Sequence, residues 1–455
     1  MRSFLLKSVY FVGIGGSGMC GLASIAISKG YVVYGSDASK SKKTDDLVSR
    51  GAKIYIGHSE SNIFGKDIDV LVYSGAISDD NPELIFAKKQ RINCVSRSKF
   101  LGTILSEFEN SLAVAGSHGK STTTAMVTSI LMDSGKDPTS IIGAEFSKID
   151  GNSLLGNSDI AVCEACEFLD SFLDLNAKFG VILNIDDDHL DYFKTLENEK
   201  RSFFKFASKC KKIVINKDDN NSFEISKDLK REDVIYYGLS ENSDFYAKNI
   251  KIDSHGFPNF DVFHKNEKIF DLKLKIPGKH NILNSLASIA SCSLFNVDYD
   301  IMKKSIEEFS GVDRRFKFIG DVNGIEIFDD YAHHPTEIKS VLETARSMGY
   351  NNIWTVFQPH TFSRTYLLLD EFAAALSLSD HLILTNILPV REKNIYGITS
   401  AELAKKIKNS IIIDDFNEIS DYLKKNVKSG DIILNMGAGT ISECADIIYQ
   451  RLLQQ

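Results

Sequence analysis

The segment Gly116-Ser117-His118-Gly119-Lys120-Ser121-Thr122 follows the short apolar run Leu112-Ala113-Val114-Ala115 and precedes a helix-length stretch. A turn of this kind presents backbone N–H groups to phosphate oxygens, carries a lysine to the β and γ phosphates, and offers the Ser121 hydroxyl to Mg²⁺. It departs from the usual phosphate-loop pattern at Val114, where the first glycine would stand. A second glycine run, Gly13-Ile14-Gly15-Gly16-Ser17-Gly18, fits GxGxxG, and Asp37 lies 19 residues beyond Gly18 at the end of the next apolar run. That arrangement suits a pyrophosphate on a helix N-terminus with an acid beside a ribose hydroxyl, and a nucleotide sugar meets it as well as NAD does. A turn kept only for packing is the plainer reading of either run, but two in succession imply two phosphate-bearing ligands.

Carboxylates stand where hard cations would need them. Glu164 and Glu167 follow the apolar Ile160-Ala161-Val162, and Asp186-Asp187-Asp188-His189 follows Val181-Ile182-Leu183-Asn184. Both groups should therefore lie at the C-terminal ends of strands, where open α/β sheets bind ligands. Each alone reads as a solvated loop; together, beside the phosphate turn, they suit Mg²⁺ ions that neutralise a triphosphate. Farther along, Asp329-Asp330-Tyr331-Ala332-His333-His334-Pro335 and Gln358-Pro359-His360-Thr361-Phe362-Ser363-Arg364 also follow apolar runs. Histidine and arginine there suit a carboxylate or a phosphate, and spacing alone does not choose between them.

To position these groups the chain must alternate strands with helices. Strands are expected over 9–14, 31–35 and 70–73 with a helix over 21–29, a pattern that implies a parallel sheet covered on both faces. A second series opens at Leu112. Between Val234 and Ile276 the apolar period changes to two, with runs at 260–263 and 269–272 around a polar turn, which predicts a hairpin insertion. A third series, from Arg314, has strands expected at 325–328, 353–357, 381–384, 411–413 and 432–435. The fold class is α/β, in three domains over residues 1–109, 110–312 and 313–455.

Composition narrows the function. The 455 residues are 43% hydrophobic and 25% charged, as in globular proteins with sizeable cores. Lys plus Arg number 53 against 61 acids, a net charge of −8, so nucleic acid, which requires a basic face, is not an expected partner. Seven cysteines, odd in number and scattered, fit a reducing, cytoplasmic setting, and the one metal-like pair, Cys163 and Cys166, lacks a second pair to complete a zinc site. The 21 uncharged residues Ser8 to Ser28 follow Arg2 and Lys7 like a membrane span. Five glycines (Gly13, Gly15, Gly16, Gly18, Gly21) argue instead for strand, turn and helix, and no membrane partner is expected.

Taken together these segments resemble the Mur ligases of peptidoglycan synthesis over nearly the whole chain. The family's ATP turn is similar to Ala115 to Thr124, its missing first glycine included. The runs Phe11 to Met19 and Asp329 to Thr336 resemble those of the alanine-adding members and of their murein-recycling relatives, while Gly311 to Phe316 and Phe357 to Thr365 favour the alanine-adding ones. The resemblance implies a Rossmann-like N-terminal domain for a UDP-sugar, a central P-loop ATPase domain with a β-hairpin insertion, and a Rossmann-like C-terminal domain that binds the amino acid and closes on ATP. It also implies ATP and Mg²⁺ as cofactors, UDP-N-acetylmuramate and L-alanine as substrates, and a monomer or weak homodimer. By matching motif, Gly116, Ser117, His118, Gly119, Lys120, Ser121 and Thr122 would hold the ATP phosphates, and Ser121, Glu164 and His189 the Mg²⁺ ions. His280 and Asn281 would meet adenine and Asp330 the ribose; closure of the third domain would bring Arg314 or Arg315 and His333 toward the nucleotide. Gly15, Gly16, Ser17, Gly18, Asp37 and Ser74 would bind the UDP-sugar. His360 and Arg364 would hold the alanine carboxylate, with Thr361 where many members carry a second arginine. Several members have a carbamylated lysine after the metal histidine; the matching stretch here, near 201–205, has aromatic residues where it would stand.

The implied reaction is phosphorylation of the muramyl carboxylate by ATP, then attack of the alanine amine on the acyl phosphate, with Lys120 and Mg²⁺ neutralising the developing charge and Lys120, His189, His333 and Arg364 as the catalytic set. Three rivals remain at this stage. A recycling ligase would join a tripeptide in place of alanine; an NAD-dependent oxidoreductase would leave the second turn idle; a noncatalytic nucleotide switch would leave the His and Arg groups idle.

Overall fold

A computed structural model of the chain describes residues 8–390 and 392–454, without the side chains of Ser17, Leu190 and Asp191; Arg2 and Lys7 lie outside the described residues. The backbone falls into two compact units. One holds the chain up to Asp186 with Thr195–Tyr237 and Ala287–Met302; the other holds Asp187–Lys194, Gly238–Leu286 and the chain from Lys303 onward.

The first unit opens with a parallel sheet of β1 (Ser8–Val12), β2 (Val32–Asp37), β3 (Lys53–Ile56), β4 (Val70–Tyr73) and β5 (Asn93–Ser96), in the order β3-β2-β1-β4-β5. Central β1 is buried along its whole length, which is why it reads as a continuous apolar run and not as an alternation. Strand order reverses at β1, and the first glycine run sits at that switch point. The same unit continues with β6 (Asn110–Ala115), β7 (Thr139–Phe146), β8 (Gly151–Leu154), β9 (Ile160–Glu164), β10 (Phe179–Ile182), β11 (Lys212–Asn216) and β12 (Val234–Gly238). Their order is β12-β11-β10-β6-β9-β7-β8, parallel except for the β7–β8 hairpin, and β6 is again a switch point. One apolar cluster joins the two sheets: Phe11, Phe100 and Leu101 belong with Phe172, Phe203 and Phe206. The Phe172 and Phe206 rings stack at 5.1 Å, and truncating either would cost about 3–5 kcal/mol. The helix Lys120–Asp133 is buried over most of its length; Thr128 donates to Thr124 O at 2.8 Å and to Ser140 Oγ at 3.0 Å, while the buried Thr124 hydroxyl has no partner among the described residues.

In the second unit β13 (Phe245–Ile252), β14 (Pro258–His264) and β15 (Glu267–Lys273) form an antiparallel meander. The expected hairpin is β14–β15, turning at Lys265 and Asn266, both left-handed at φ 48° and 72°, as a two-residue hairpin turn requires. A mixed sheet follows: β16 (Lys317–Val322), β17 (Ile325–Asp330), β18 (Ile353–Phe357), β19 (His381–Leu384), β20 (Ser410–Ile412) and β21 (Ile432–Met436), in the order β16-β17-β21-β18-β19-β20. Only β16 is antiparallel. The α/β class is as the sequence implies; β8 and β16, which pair antiparallel at edges and carry polar residues, are additions to it. Among the described residues no helix is long and apolar enough to cross a membrane.

Candidate functional site

Gly116 leaves β6 at φ 141°, and a Cβ there would stand 2.9 Å from Leu183 Cβ, so only glycine fits. The turn is clipped to the segment after β10. Ser117 N donates to Asn184 O at 3.1 Å, His118 N to Asn184 Oδ1 at 2.8 Å, Asn184 Nδ2 to His118 O at 3.1 Å and Asp186 N to Ser117 Oγ at 2.9 Å. His118 Nε2 lies 3.0 Å from Asp186 Oδ2. These bonds make a rigid cradle at the start of the helix Lys120–Asp133, where Ser121 and Thr122 are buried.

Lys120 Nζ donates to both oxygens of Glu167 at 3.0 Å, to Ser117 O at 3.1 Å and to Gly116 O. Glu167 is 1% exposed. Burial works against the ammonium, but Glu167, Cys166 and Glu164 hold its pKa well above the usual lysine range. Lys120 is therefore a fixed cation resting on a buried carboxylate, and a phosphate entering the turn competes with Glu167 for it. Sequence reading placed Glu167 among the acids for a cation and missed this pairing.

Glu164 ends β9, where Gly143 N donates to its Oε1. Its carboxylate and the Ser121 hydroxyl are hard oxygen donors, the chemistry that Mg²⁺ takes. His189, in the second unit, is left-handed at φ 58°, and its N–H donates to Asp188 Oδ1 at 2.9 Å. Lys200, just before the stretch where a carbamylated lysine would stand, is ion-paired with Glu224 at 2.7 Å.

At the first glycine run, Gly13 N and Ile14 N donate to Ser36 O at 2.8 and 3.0 Å, and Gly16 N to Gly13 O at 3.2 Å. Asp37, read as the ribose acid, turns onto the run itself and accepts from Gly15 N at 2.8 Å. Gly16 caps the helix Ser17–Ser28 without a side-chain bond. Ser74 borders the run, 3.4 Å from where a Gly13 Cβ would be; the Ser17 side chain lies outside the described residues.

In the second unit, the end of β17 is built from paired charges. Arg314 Nε meets Asp329 Oδ2 at 2.8 Å, and Asp330 accepts from Phe316 N at 2.6 Å and Ala332 N at 2.7 Å. Burial raises Asp330 to about 6. Arg315 lies over the Tyr331 ring at 5.2 Å and 3.7 Å from Glu337. His333 Nδ1 is 3.0 Å from Tyr331 O and 3.3 Å from Glu337. Desolvation prevails over Glu337 and, helped by Arg364, pushes His333 down to about 3, so its imidazole is neutral at pH 7. His280 Nδ1 is 2.8 Å from Ser340 Oγ, while the Asn281 amide donates to Pro277 O at 2.7 Å.

The loop after β18 carries the remaining pair. Arg364 Nη1 lies 3.3 Å from His360 Nδ1, and Nη2 donates to Asp188 Oδ1 at 2.9 Å. Burial would raise Asp188, but Arg364 and the histidines His189, His334 and His333 hold it well below the usual carboxylate range. Thr361, β-branched yet at φ 69°, is a strained residue; its N–H donates to Leu388 O at 3.0 Å, while Glu392 accepts from Ser363 N at 2.8 Å and from its hydroxyl at 2.5 Å. Arg364, Thr361, Asp188 and Leu367 border a cavity of about 50 Å³, room for two or three heavy atoms. His333, His360 and Arg364 are thus brought together, the two rings 5.5 Å apart; Glu392 is the member the sequence did not reveal, and Asp188, read among the acids for a cation, is paired with Arg364.

Comparison with known proteins agrees over the full length. Residues 8–109 match the Mur ligase family, catalytic domain; residues 114–292 the Mur ligase middle domain; and residues 314–439 the Mur ligase, glutamate ligase domain. A UDP-N-acetylmuramate–L-alanine ligase from Acetivibrio thermocellus is 45% identical over 98% of this chain and 96% of its own. That of Clostridium tetani is 44% identical over 98% of each. Among solved structures, a UDP-N-acetylmuramate-alanine ligase from Thermotoga maritima superposes with a TM-score of 0.82 at 28% identity, covering 98% of this chain and 99% of that one.

Proposed function

The chain belongs to the Mur ligase family, and on that premise we propose that it joins L-alanine to the carboxylate of UDP-N-acetylmuramate, converting ATP to ADP and phosphate. The full-length likeness to relatives of that name carries the reading. Residues 1–109 would take the UDP-sugar, 110–312 ATP and 313–455 the amino acid, in a cytoplasmic monomer or weak homodimer.

A carboxylate condenses with an amine only once one of its oxygens becomes a leaving group. The muramyl carboxylate attacks the γ-phosphorus, the bond to the bridging oxygen of ADP breaks, and Lys120, released from Glu167, meets the developing charge. Ser121 and Glu164 would hold Mg²⁺, which when bound neutralises the triphosphate; His189 keeps the role that the resemblance implies. The alanine amine, its ammonium proton lost to solvent, then attacks the acyl carbon, the bond from that carbon to the phosphate oxygen breaks, and phosphate leaves. Arg364 and His360 would hold the alanine carboxylate, and neutral His333 adds no charge to repel the ammonium end. His280, Asn281, Arg315 and Asp330 stand as the nucleoside contacts of this proposal.

Phosphate release, measured with ATP, Mg²⁺ and UDP-N-acetylmuramate while L-alanine, glycine, L-serine or tripeptide is varied, tests the reading. L-Alanine should support the highest kcat/KM. Preference for the tripeptide would make the chain a recycling ligase.

A further inference from the structure

The first glycine run has no cation of its own. Residues Gly13 to Gly18 are uncharged, and the helix that begins at Ser17 has no charged residue in its first turn. A diphosphate seated there would meet N–H groups and the carboxylate of Asp37, which repels it. The missing charge comes from elsewhere in the same unit. Arg97 opens the helix Arg97–Leu105 directly after β5, and a Cβ on Gly18 would stand 2.8 Å from its Nη1 and 3.3 Å from its Cζ. The guanidinium therefore lies against Gly18, and any larger residue there would displace it.

Arg97 is half-buried, and among the described residues its guanidinium has no carboxylate within ion-pair distance and no hydrogen-bond acceptor. Asp174 accepts from Ser98 Oγ, the residue next to Arg97, at 2.6 Å. A partly desolvated, unpaired cation is costly, and the positive end of a helix beside it adds to the cost. An anion between them relieves both. Arginine in place of lysine fits, because a planar fork can span two phosphate oxygens.

We propose that Arg97, lying against Gly18, binds the diphosphate of the nucleotide sugar. This rests on the reading of the first domain as the UDP-sugar site. The test is calorimetric titration of the wild type, Arg97→Lys and Arg97→Met with UDP, UDP-N-acetylmuramate and ATP·Mg, with melting curves to confirm that the variants fold. Arg97→Met should weaken UDP and UDP-N-acetylmuramate alike, by on the order of ten- to a hundredfold, Arg97→Lys by less, and ATP by no more than about twofold. The UDP affinity of Arg97→Met should also depend less steeply on salt. Unchanged UDP affinity in Arg97→Met overturns the proposal. So does a loss confined to UDP-N-acetylmuramate, which would put the guanidinium on the sugar's carboxylate, or an equal loss of ATP, which would mark a general disturbance. Failure of the wild type itself to bind either uridine ligand would overturn the reading of the domain instead.

Discussion

The two glycine turns of the first unit share a scaffold, each leaving a central strand at a switch point and entering a helix, yet they manage charge in opposite ways. The second turn carries Lys120 and parks it on Glu167, 1% exposed, so its cation is satisfied before any nucleotide arrives. The first turn carries no cation, spends Asp37 on its own Gly15 N–H, and has the Arg97 guanidinium, unpaired among the described residues, laid against Gly18. On the proposed reading, a triphosphate brings enough charge to draw Lys120 from Glu167, and a diphosphate at the first turn would meet the Arg97 guanidinium. The loop that carries Arg364 is paired as the second turn is, its guanidinium resting on Asp188.

Removing the parked cation should have the largest effect. Lys120→Ala should lower kcat/KM by more than a hundredfold, equivalent to about 3 kcal/mol or more. It should also destabilise the free protein by about 3–5 kcal/mol, because Glu167 is left buried and unpaired. Lys120→Ala with Glu167→Gln should recover most of the melting temperature and none of the activity; recovery of neither would break the account of Glu167 as a resting partner.

The backbones of the two turns differ as their charges do. Gly116 sits at φ 141° against Leu183, whereas Gly16 has φ −61° and nothing nearer a Cβ than Gly13 O at 3.4 Å. Gly116→Ala should therefore cost about 2–3 kcal/mol in denaturant unfolding and Gly16→Ala about 0.5 kcal/mol. Equal costs would show that the strain is shared by both turns.

Most of this framework was legible in the sequence. The strands of the parallel sheets are apolar runs bounded by glycine or by acids, and 353–357 and 381–384 coincide with β18 and β19. Edge pairs such as β8 and β16 were not, because their residues alternate weakly and a bulge shifts the β16 register between Phe318 and Gly320. At the sites, residue types in the turns were readable, but their counter-charges were not. Glu167 stands 47 positions from Lys120, and Asp188 stands 176 positions from Arg364. Nothing in the local pattern ties them. Asp37 shows the converse: its spacing announces a ribose acid, and its geometry adds a bond from the Gly15 N–H that spacing did not announce.

Arg364→Lys sharpens the comparison in the second unit. A point charge cannot reproduce a two-pronged hold on a carboxylate, so the alanine KM should rise about tenfold while those for ATP and UDP-N-acetylmuramate move by less than about twofold. A rise in the ATP KM alone would assign Arg364 to the nucleotide. The smallest effect is on pH. His333 is near 3 in the folded protein and about 6.5 when unfolded, so the unfolded state binds the extra proton between those values. Its contribution to stability is complete above pH 6.5 and is lost as pH falls, by up to about 1.4 kcal/mol per unit. Unfolding free energies of His333→Gln between pH 6.5 and 5 should fall less steeply than those of the wild type; parallel curves would show an imidazole that takes up its proton alike in the folded and unfolded states.

The central claim is that the two turns hold separate ligands, a UDP-sugar on the first and ATP on the second. Calorimetry on the wild type and Lys120→Ala addresses it directly, titrating UDP-N-acetylmuramate, ATP·Mg and NADH in turn. The account predicts that Lys120→Ala weakens ATP at least tenfold, leaves UDP-N-acetylmuramate within about twofold, and that NADH gives no heat with either protein. Loss of both ligands together, or micromolar NADH binding without a response to the sugar, would contradict it.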